Sequence, residues 1–159
     1  MEETAIRFEN FGFQYKVQQK PTLYDINLTI HKGEKVLILG SSGSGKSTLA
    51  NCINGLIPFS NEGTITGSVT VNGVETRSSS LHELSKTVGT VLQDSDAQFV
   101  GLSVGEDIAF AMENEAIPRS KMVPVVYRHA SVVEMQDFIG AVPFDLSGGQ
   151  KQKVAIAGV

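Results

Sequence analysis

Between Ala5 and Ile30 apolar and polar side chains alternate, first in AIRFENFGFQY and again in LYDINLTI. Successive side chains of a strand point to opposite faces, so the pattern predicts two or more antiparallel strands, each with one buried face. HKGE at 31–34 is a turn signal that leads into KVLIL, an unbroken apolar run read as a short strand at the centre of a sheet. After GSSGSGKST, the residues Leu49, Cys52, Ile53 and Leu56 recur at the spacing of one helical face, and Pro58 is expected to end that helix. TITGSVTVNG at 64–73 alternates again and predicts a strand that rejoins the first β layer, turning at Asn72-Gly73. Ser80 with Glu83, and Ser103 with Glu106, have the spacing at which a serine oxygen and a glutamate each satisfy a backbone N–H of a helix's first turn. Between them VGTVLQ reads as a strand. From 113 to 145 a mostly helical apolar pattern is interrupted by Pro118, Pro124 and Pro143, which predicts short helices. No repeat, low-complexity tract or linker divides the chain, so these elements read as layers of one domain.

Composition narrows the class. The chain has 159 residues, 41% hydrophobic and 19% charged, with 16 glycines, which is the make-up of a globular domain. A net charge of −4 argues against a domain built to hold nucleic acid, so no nucleic-acid partner is expected. Cys52 is the only cysteine, which excludes an internal disulfide, and on the buried stripe of its helix it reads as a small core residue rather than a reactive thiol. The N-terminus does not resemble a signal peptide, and apolar runs such as Val36 to Leu39 fall far short of the roughly 20 residues that cross a bilayer. The expectation is a cytoplasmic chain whose membrane role, if any, comes through partners.

The candidate chemistry begins at Gly40-Ser41-Ser42-Gly43-Ser44-Gly45-Lys46-Ser47, which satisfies G-x-x-x-x-G-K-[ST] in full. It follows a predicted strand and opens a predicted helix. Phosphate oxygens need several donors converging on one point; a glycine-rich turn lets successive N–H groups face inward, and the helix N-terminus adds partial positive charge. Lys46 can reach the terminal phosphates as a mobile cation, the Ser47 hydroxyl can ligate Mg²⁺, and Thr48 adds a phosphate contact. By itself this loop leaves kinases, GTPases, ATPases and helicases open. No N-K-x-D base-reading string occurs, which speaks against a GTPase.

A second string, Leu146-Ser147-Gly148-Gly149-Gln150, begins another helix with the S-x-x-Q capping spacing. Phosphate loop and LSGGQ, in this order and about a hundred residues apart, resemble the nucleotide-binding domain of ABC transporters, and the resemblance covers essentially the whole chain. It implies an α/β fold of the P-loop NTPase type: a RecA-like core sheet (36–59 and 87–93), an antiparallel β layer (about 1–35 and 60–77), a helical subdomain (94–147) and a signature helix (147–159). It also implies that Tyr15 stacks on adenine and that Gln93 lies near Mg²⁺ and the transmembrane contact. Two such domains, in a homodimer, a heterodimer or one fused chain, then pack head to tail, so that Ser147, Gly148 and Gly149 of one close over the phosphates held by Gly40–Thr48 of the other.

Within that family, QDSDAQFVGLSVGEDIAF (93–110) and SGGQKQKVAIAGV look most like the ATPases of energy-coupling-factor and cobalt-type vitamin importers, including thiamine-precursor importers. The implied function is ATP-driven uptake of a small solute such as a vitamin, a vitamin precursor or a metal ion, with ATP and Mg²⁺ as cofactors and transmembrane subunits as partners on the cytoplasmic face of the membrane. The family's hydrolytic parts, an apolar strand ending in Asp-Glu and a switch histidine, have no match; His31, His82 and His129 all precede the signature. The expectation is therefore a C-terminally incomplete domain, marginally stable, with apolar surface around Val36–Leu39 left uncovered. Two alternatives stay open: a non-hydrolysing nucleotide-binding or dimerisation fragment, and a soluble ABC ATPase of DNA repair or translation. The latter would be expected to carry a coiled-coil insertion or a tandem-domain linker, and neither occurs.

Overall fold

The computed structural model describes residues 3–94 and 96–159. Met1 and Glu2, and Ser95 within the 93–110 stretch quoted above, lie outside the described residues. The chain divides into two compact units, one ending at Gly89 and the other running from Thr90 to Val159.

The first unit holds a four-stranded antiparallel sheet in the order β2-β1-β3-β4, made of β1 (Thr4–Tyr15), β2 (Leu23–His31), β3 (Gly63–Val71) and β4 (Val74–Glu75). β1 is central, with Phe8 opposite Leu28 of β2 and opposite Val69 of β3. Strict alternation would put Phe8 and Phe11 on opposite faces. A bulge resolves this: the register shifts between Glu9 and Gly12, Asn10 takes a φ of 46°, and the extra residue returns Phe11 to the face of Phe8. Phe8, Phe11, Phe13, Leu23 and Val69 then bury one apolar face against Leu49 and Cys52 of α1 (Lys46–Ile53) and Ile57 of the short, kinked α2 (Leu56–Phe59). The turn at Asn72-Gly73 forms as expected, with both residues at positive φ, and links β3 to β4. At 31–34 the Glu34 carboxylate accepts from His31 N at 2.7 Å while Glu34 N donates to His31 O at 3.2 Å.

The second unit is helical. Its core joins Val104 and Ile108 of α4 (Val104–Asn114), Val126 and Ala130 of α5 (Arg119–Val132), Met135, Leu146, and Val154 and Ala157 of α6 (Gly148–Ala157). The caps read from the sequence at 103 and 147 are both full capping boxes. At α3 (Leu81–Ser85) the Ser80 oxygen accepts from Glu83 N at 3.2 Å, but the Glu83 carboxylate turns to the Ser79 hydroxyl.

Four expectations are corrected. Val36–Leu39, read as a central strand, and VGTVLQ at 88–93, read as another, belong to no ladder. Leu37 and Leu39 are 79% and 80% exposed. A strand is held by neighbours that take its N–H and C=O groups, and among the described residues the sheet is the antiparallel one alone, so the RecA-like core sheet is not formed by them. The helix after the phosphate loop ends at Ile53, before Gly55 with a φ of 84°, and not at Pro58. Residues 119–132 form one helix that runs through Pro124 rather than short pieces. Pro124 is exposed, so the Ser120 carbonyl that loses its intrahelical donor can be solvated.

Cys52 is 1% exposed, and burial pushes its thiol up from 9.0 to about 12. Below about pH 9 folded and unfolded chains both keep the proton. Above it the unfolded chain releases its proton first, so this group's contribution to stability falls by about 1.4 kcal/mol per pH unit as pH rises toward the folded value. At about pH 8 the native thiol is expected to resist an aromatic disulfide reagent and to react on unfolding in urea. Rapid labelling of the native protein would contradict the burial.

Candidate nucleotide-binding site

Gly40–Thr48 is a tight loop capped by the start of α1. Gly45 is the N-cap residue at a φ of 94°, and no side chain caps the helix. A Cβ on Gly45 would sit 3.0 Å from Leu23 Cδ2 and 3.2 Å from Thr22 O, so glycine is required there both by its left-handed backbone and by the close passage of the β1–β2 connection. Ser44 N donates to Ser41 O at 3.3 Å, and the Lys46 ammonium donates to Gly40 O at 2.9 Å and Ser41 O at 2.7 Å. The lysine thus folds over the loop's own carbonyls, placing its charge at the loop centre, next to the first turn of α1, which no side chain caps. No acidic residue lies in that turn, so the helix N-terminus keeps its positive end for an anion. Ser41, Ser42, Gly43, Ser44 and Ser47 are exposed, and Thr48 is buried.

Beside the loop, residues 18–22 with Gly43 and Ser44 line an open depression of about 570 Å³. The connection that forms its far wall is stiffened from within: Thr22 Oγ1 donates to Gln18 Oε1 at 2.6 Å, and Gln14 Nε2 donates to Gln18 O at 2.8 Å. Tyr15 closes the end of β1. Its ring meets Phe13 edge to face at 4.7 Å, and its hydroxyl lies 3.2 Å from Thr48 Oγ1. The structure therefore brings Tyr15 to the phosphate loop, through its hydroxyl.

In the helical unit Gln93 is exposed on irregular backbone. The segment before it is splinted by Gln98, whose side chain accepts from Leu92 N at 3.0 Å and donates to Thr90 O at 3.3 Å. Asp107 Oδ1 accepts from Val100 N at 2.8 Å and Gly101 N at 2.9 Å, and Glu106 Oε2 accepts from Leu102 N at 2.7 Å. Sequence reasoning used Glu106 only as a capping residue and missed Gln98 and Asp107. The one available signal was the acidic pair in the first turn of α4 following a glycine-containing loop.

The signature places Leu146 in the core, 8% exposed, and leaves Ser147, Gly148 and Gly149 exposed. Ser147 Oγ accepts from Gln150 N at 3.4 Å and Gln150 Oε1 accepts from Ser147 N at 2.9 Å. A Cβ on Gly148 or Gly149 would meet nothing within 4 Å, so the first turn of α6 presents bare backbone to solvent. A further cleft of about 460 Å³ lies between α4 and α5, lined by Glu106, Glu113, Arg119 and apolar neighbours. It contains no phosphate-loop geometry. Among the described residues no cluster of His, Cys, Asp and Glu could hold a metal ion, and no helix is long and apolar enough to cross a membrane.

A glycine-rich turn, a central lysine and an uncapped helix define the phosphate-binding class of P-loop proteins, and comparison with known proteins gives the family. The family model for the ABC transporter matches residues 23–159, and the chain belongs to that family. It is 58% identical over 155 residues to a protein of Photobacterium profundum named as an ABC transporter ATP-binding protein, a match covering 98% of this chain and 28% of that protein. A protein of the same name in Enterococcus faecalis is 56% identical over 159 residues, covering 100% of this chain and 28% of that protein. The chain thus spans little more than a quarter of the length of these relatives. Among solved structures, CbiO1 of Clostridium perfringens, described as part of the ABC transporter complex CbiONQ, superposes with a TM-score of 0.85 at 29% identity, covering 99% of this chain and 61% of that one. The fold is that of an ABC-type P-loop NTPase, represented here by its antiparallel sheet, phosphate loop and helices.

Proposed function

We propose that this chain is the ATP-binding part of an ABC importer subunit, in which ATP binding closes two such domains and hydrolysis reopens them to drive uptake of a small solute such as a vitamin, a vitamin precursor or a metal ion. The observation that carries this is the pairing, in one chain, of the lysine-centred loop Gly40–Thr48 with the bare, capped first turn at Ser147–Gly149. A nucleotide's phosphates would replace the Gly40 and Ser41 carbonyls as partners of Lys46 and take the N–H groups at the start of α1. The adenosine part would lie in the depression beside residues 18–22, against Tyr15. The exposed turn at Ser147 is a second helix N-terminus, suited to face the phosphates of a partner domain. Ser47, an exposed oxygen ligand at the loop, would hold Mg²⁺, which supplies neutralisation of phosphate charge, and for Gln93, exposed in the helical unit, the same role rests on the family resemblance.

Likeness to CbiO1, part of an ABC transporter complex, supports transmembrane subunits as partners and peripheral attachment to the membrane. Exposed Val100 and Leu102, soon after Gln93, offer apolar surface for such a partner. The energy-coupling-factor subgroup rests on the same likeness and on the 93–110 stretch.

The test is Gly149→Glu. Space around Gly149 is open, so the variant should fold, while its carboxylate would stand where the partner's phosphates are placed. Repulsion of several kcal/mol is expected to cut ATP turnover of the assembled transporter by about 100-fold or more while ATP affinity changes less than about twofold. Unchanged turnover would remove the signature from the site. ATP binding without turnover in the unsubstituted protein would favour the non-hydrolysing reading instead.

A further inference from the structure

Thr48 is 7% exposed, and a buried hydroxyl needs a hydrogen-bond partner. Its neighbour is the Tyr15 hydroxyl at 3.2 Å, and either oxygen can be the donor. The tyrosine does not wander to make this bond. Its backbone pairs with Gly63 across the β1–β3 ladder, and its ring is held edge to face by Phe13, itself 1% exposed. This pair of hydroxyls is the polar link between the end of β1 and the first turn of α1, beside the apolar packing of Leu49.

We propose that Tyr15 is a positioning residue that fixes the direction of the Thr48 hydroxyl toward bound phosphate; this rests on the nucleotide reading given above. A threonine hydroxyl has one proton to donate, and a phosphate oxygen at neutral pH only accepts. When phosphate occupies the loop, Thr48 must spend its proton on the ligand, and its oxygen then accepts from Tyr15. Tyr15 O–H to Thr48 O–H to phosphate is a relay in which each bond polarises the next. Without ligand the two hydroxyls can exchange roles, so binding also sets the direction of the pair. The role differs from base stacking, which uses the ring face and leaves the hydroxyl idle.

Tripolyphosphate separates the two roles, because it fills the loop and has no base to stack. Its affinity and that of ATP are to be measured by calorimetry on the intact protein and on Tyr15→Phe, Thr48→Val, Thr48→Ser, Tyr15→Phe/Thr48→Val and Lys46→Ala. Tyr15→Phe is expected to weaken both ligands by about five- to tenfold, the worth of one net hydrogen bond. Thr48→Val should weaken them at least as much, Thr48→Ser should restore binding, and the double variant should be no worse than Thr48→Val alone, because the tyrosine acts only through the threonine. If Tyr15→Phe lowers the melting midpoint and leaves tripolyphosphate affinity untouched, or if the losses multiply in the double variant, the relay is overturned and the tyrosine is a packing or stacking residue. Lys46→Ala keeps that outcome apart from failure of the site itself: were it also without effect, the phosphate loop reading would fall with the relay.

Discussion

Replacing Lys46 with alanine is expected to weaken ATP binding by the intact protein by about 3 kcal/mol, roughly 150-fold in Kd, and to abolish turnover with it. The ammonium places a full positive charge at the loop centre, where it donates to the Gly40 and Ser41 carbonyls. Removing it leaves the phosphates held by backbone N–H groups and the helix end, which lack a full charge to set against the polyphosphate. The side chain contributes little to the core, so the melting midpoint should move by no more than about 2 °C. Lys121→Ala, an exposed cation on α5, is the control and should bind ATP normally. If Lys46→Ala bound ATP as tightly as the parent, the loop would be a connector and not a site.

The second large effect concerns folding. Gly67 has a φ of 65° and faces the β1 bulge, where a Cβ would come within 2.2 Å of Glu9 O and 2.3 Å of Asn10 O. Both contacts are with backbone, so no flexible side chain can give way. Gly67→Ala is expected to cost about 3–4 kcal/mol, about 1–2 from the left-handed conformation and the rest from moving the bulge. That is a large part of the roughly 5–15 kcal/mol that holds a domain together, and the thermal transition followed by near-UV circular dichroism should fall by roughly 10 °C or more. Gly73→Ala provides the contrast, with a φ of 80° but nothing within 4 Å of its Cβ. It should cost only the conformational part, about 1–2 kcal/mol. Equal losses at the two positions would mean that the bulge does not meet Gly67 as described.

These two positions show what the sequence makes legible. Lys46 announces itself, because a phosphate loop is a local device written in consecutive residues between a β-like and a helical pattern. The capping boxes at Ser103 and Ser147 and the Asn72-Gly73 turn are local in the same sense, and all form. Gly67 does not announce itself. Its requirement arises from Glu9 and Asn10, distant in sequence, and from a bulge that period-two reading passes over. Val36–Leu39 fails in the opposite direction: its apolar run is the signal of a buried strand, but strand pairing is supplied by other segments, and the sequence of one segment cannot provide it. Pro124 misleads because a proline is read as a break, whereas an exposed carbonyl can dispense with its donor. Gln98 and Asp107, which hold the backbone at Thr90 and Leu92 and at Val100 and Gly101, had no pattern to mark them; each acts through hydrogen bonds to residues that only the folded loop brings near.

Nucleotide held on Gly40–Thr48 is the claim on which the functional reading depends, and amide hydrogen exchange of the intact protein with and without Mg-ATP tests it most directly. Bound phosphate should take the N–H groups of the loop and of the first turn of α1, slowing exchange across 40–48 by about tenfold or more, while the exposed first turn of α5 keeps its rate. Slowing at Ser147–Gln150 as well would accompany closure onto a partner domain. Unchanged exchange across 40–48 at saturating Mg-ATP would contradict the assignment.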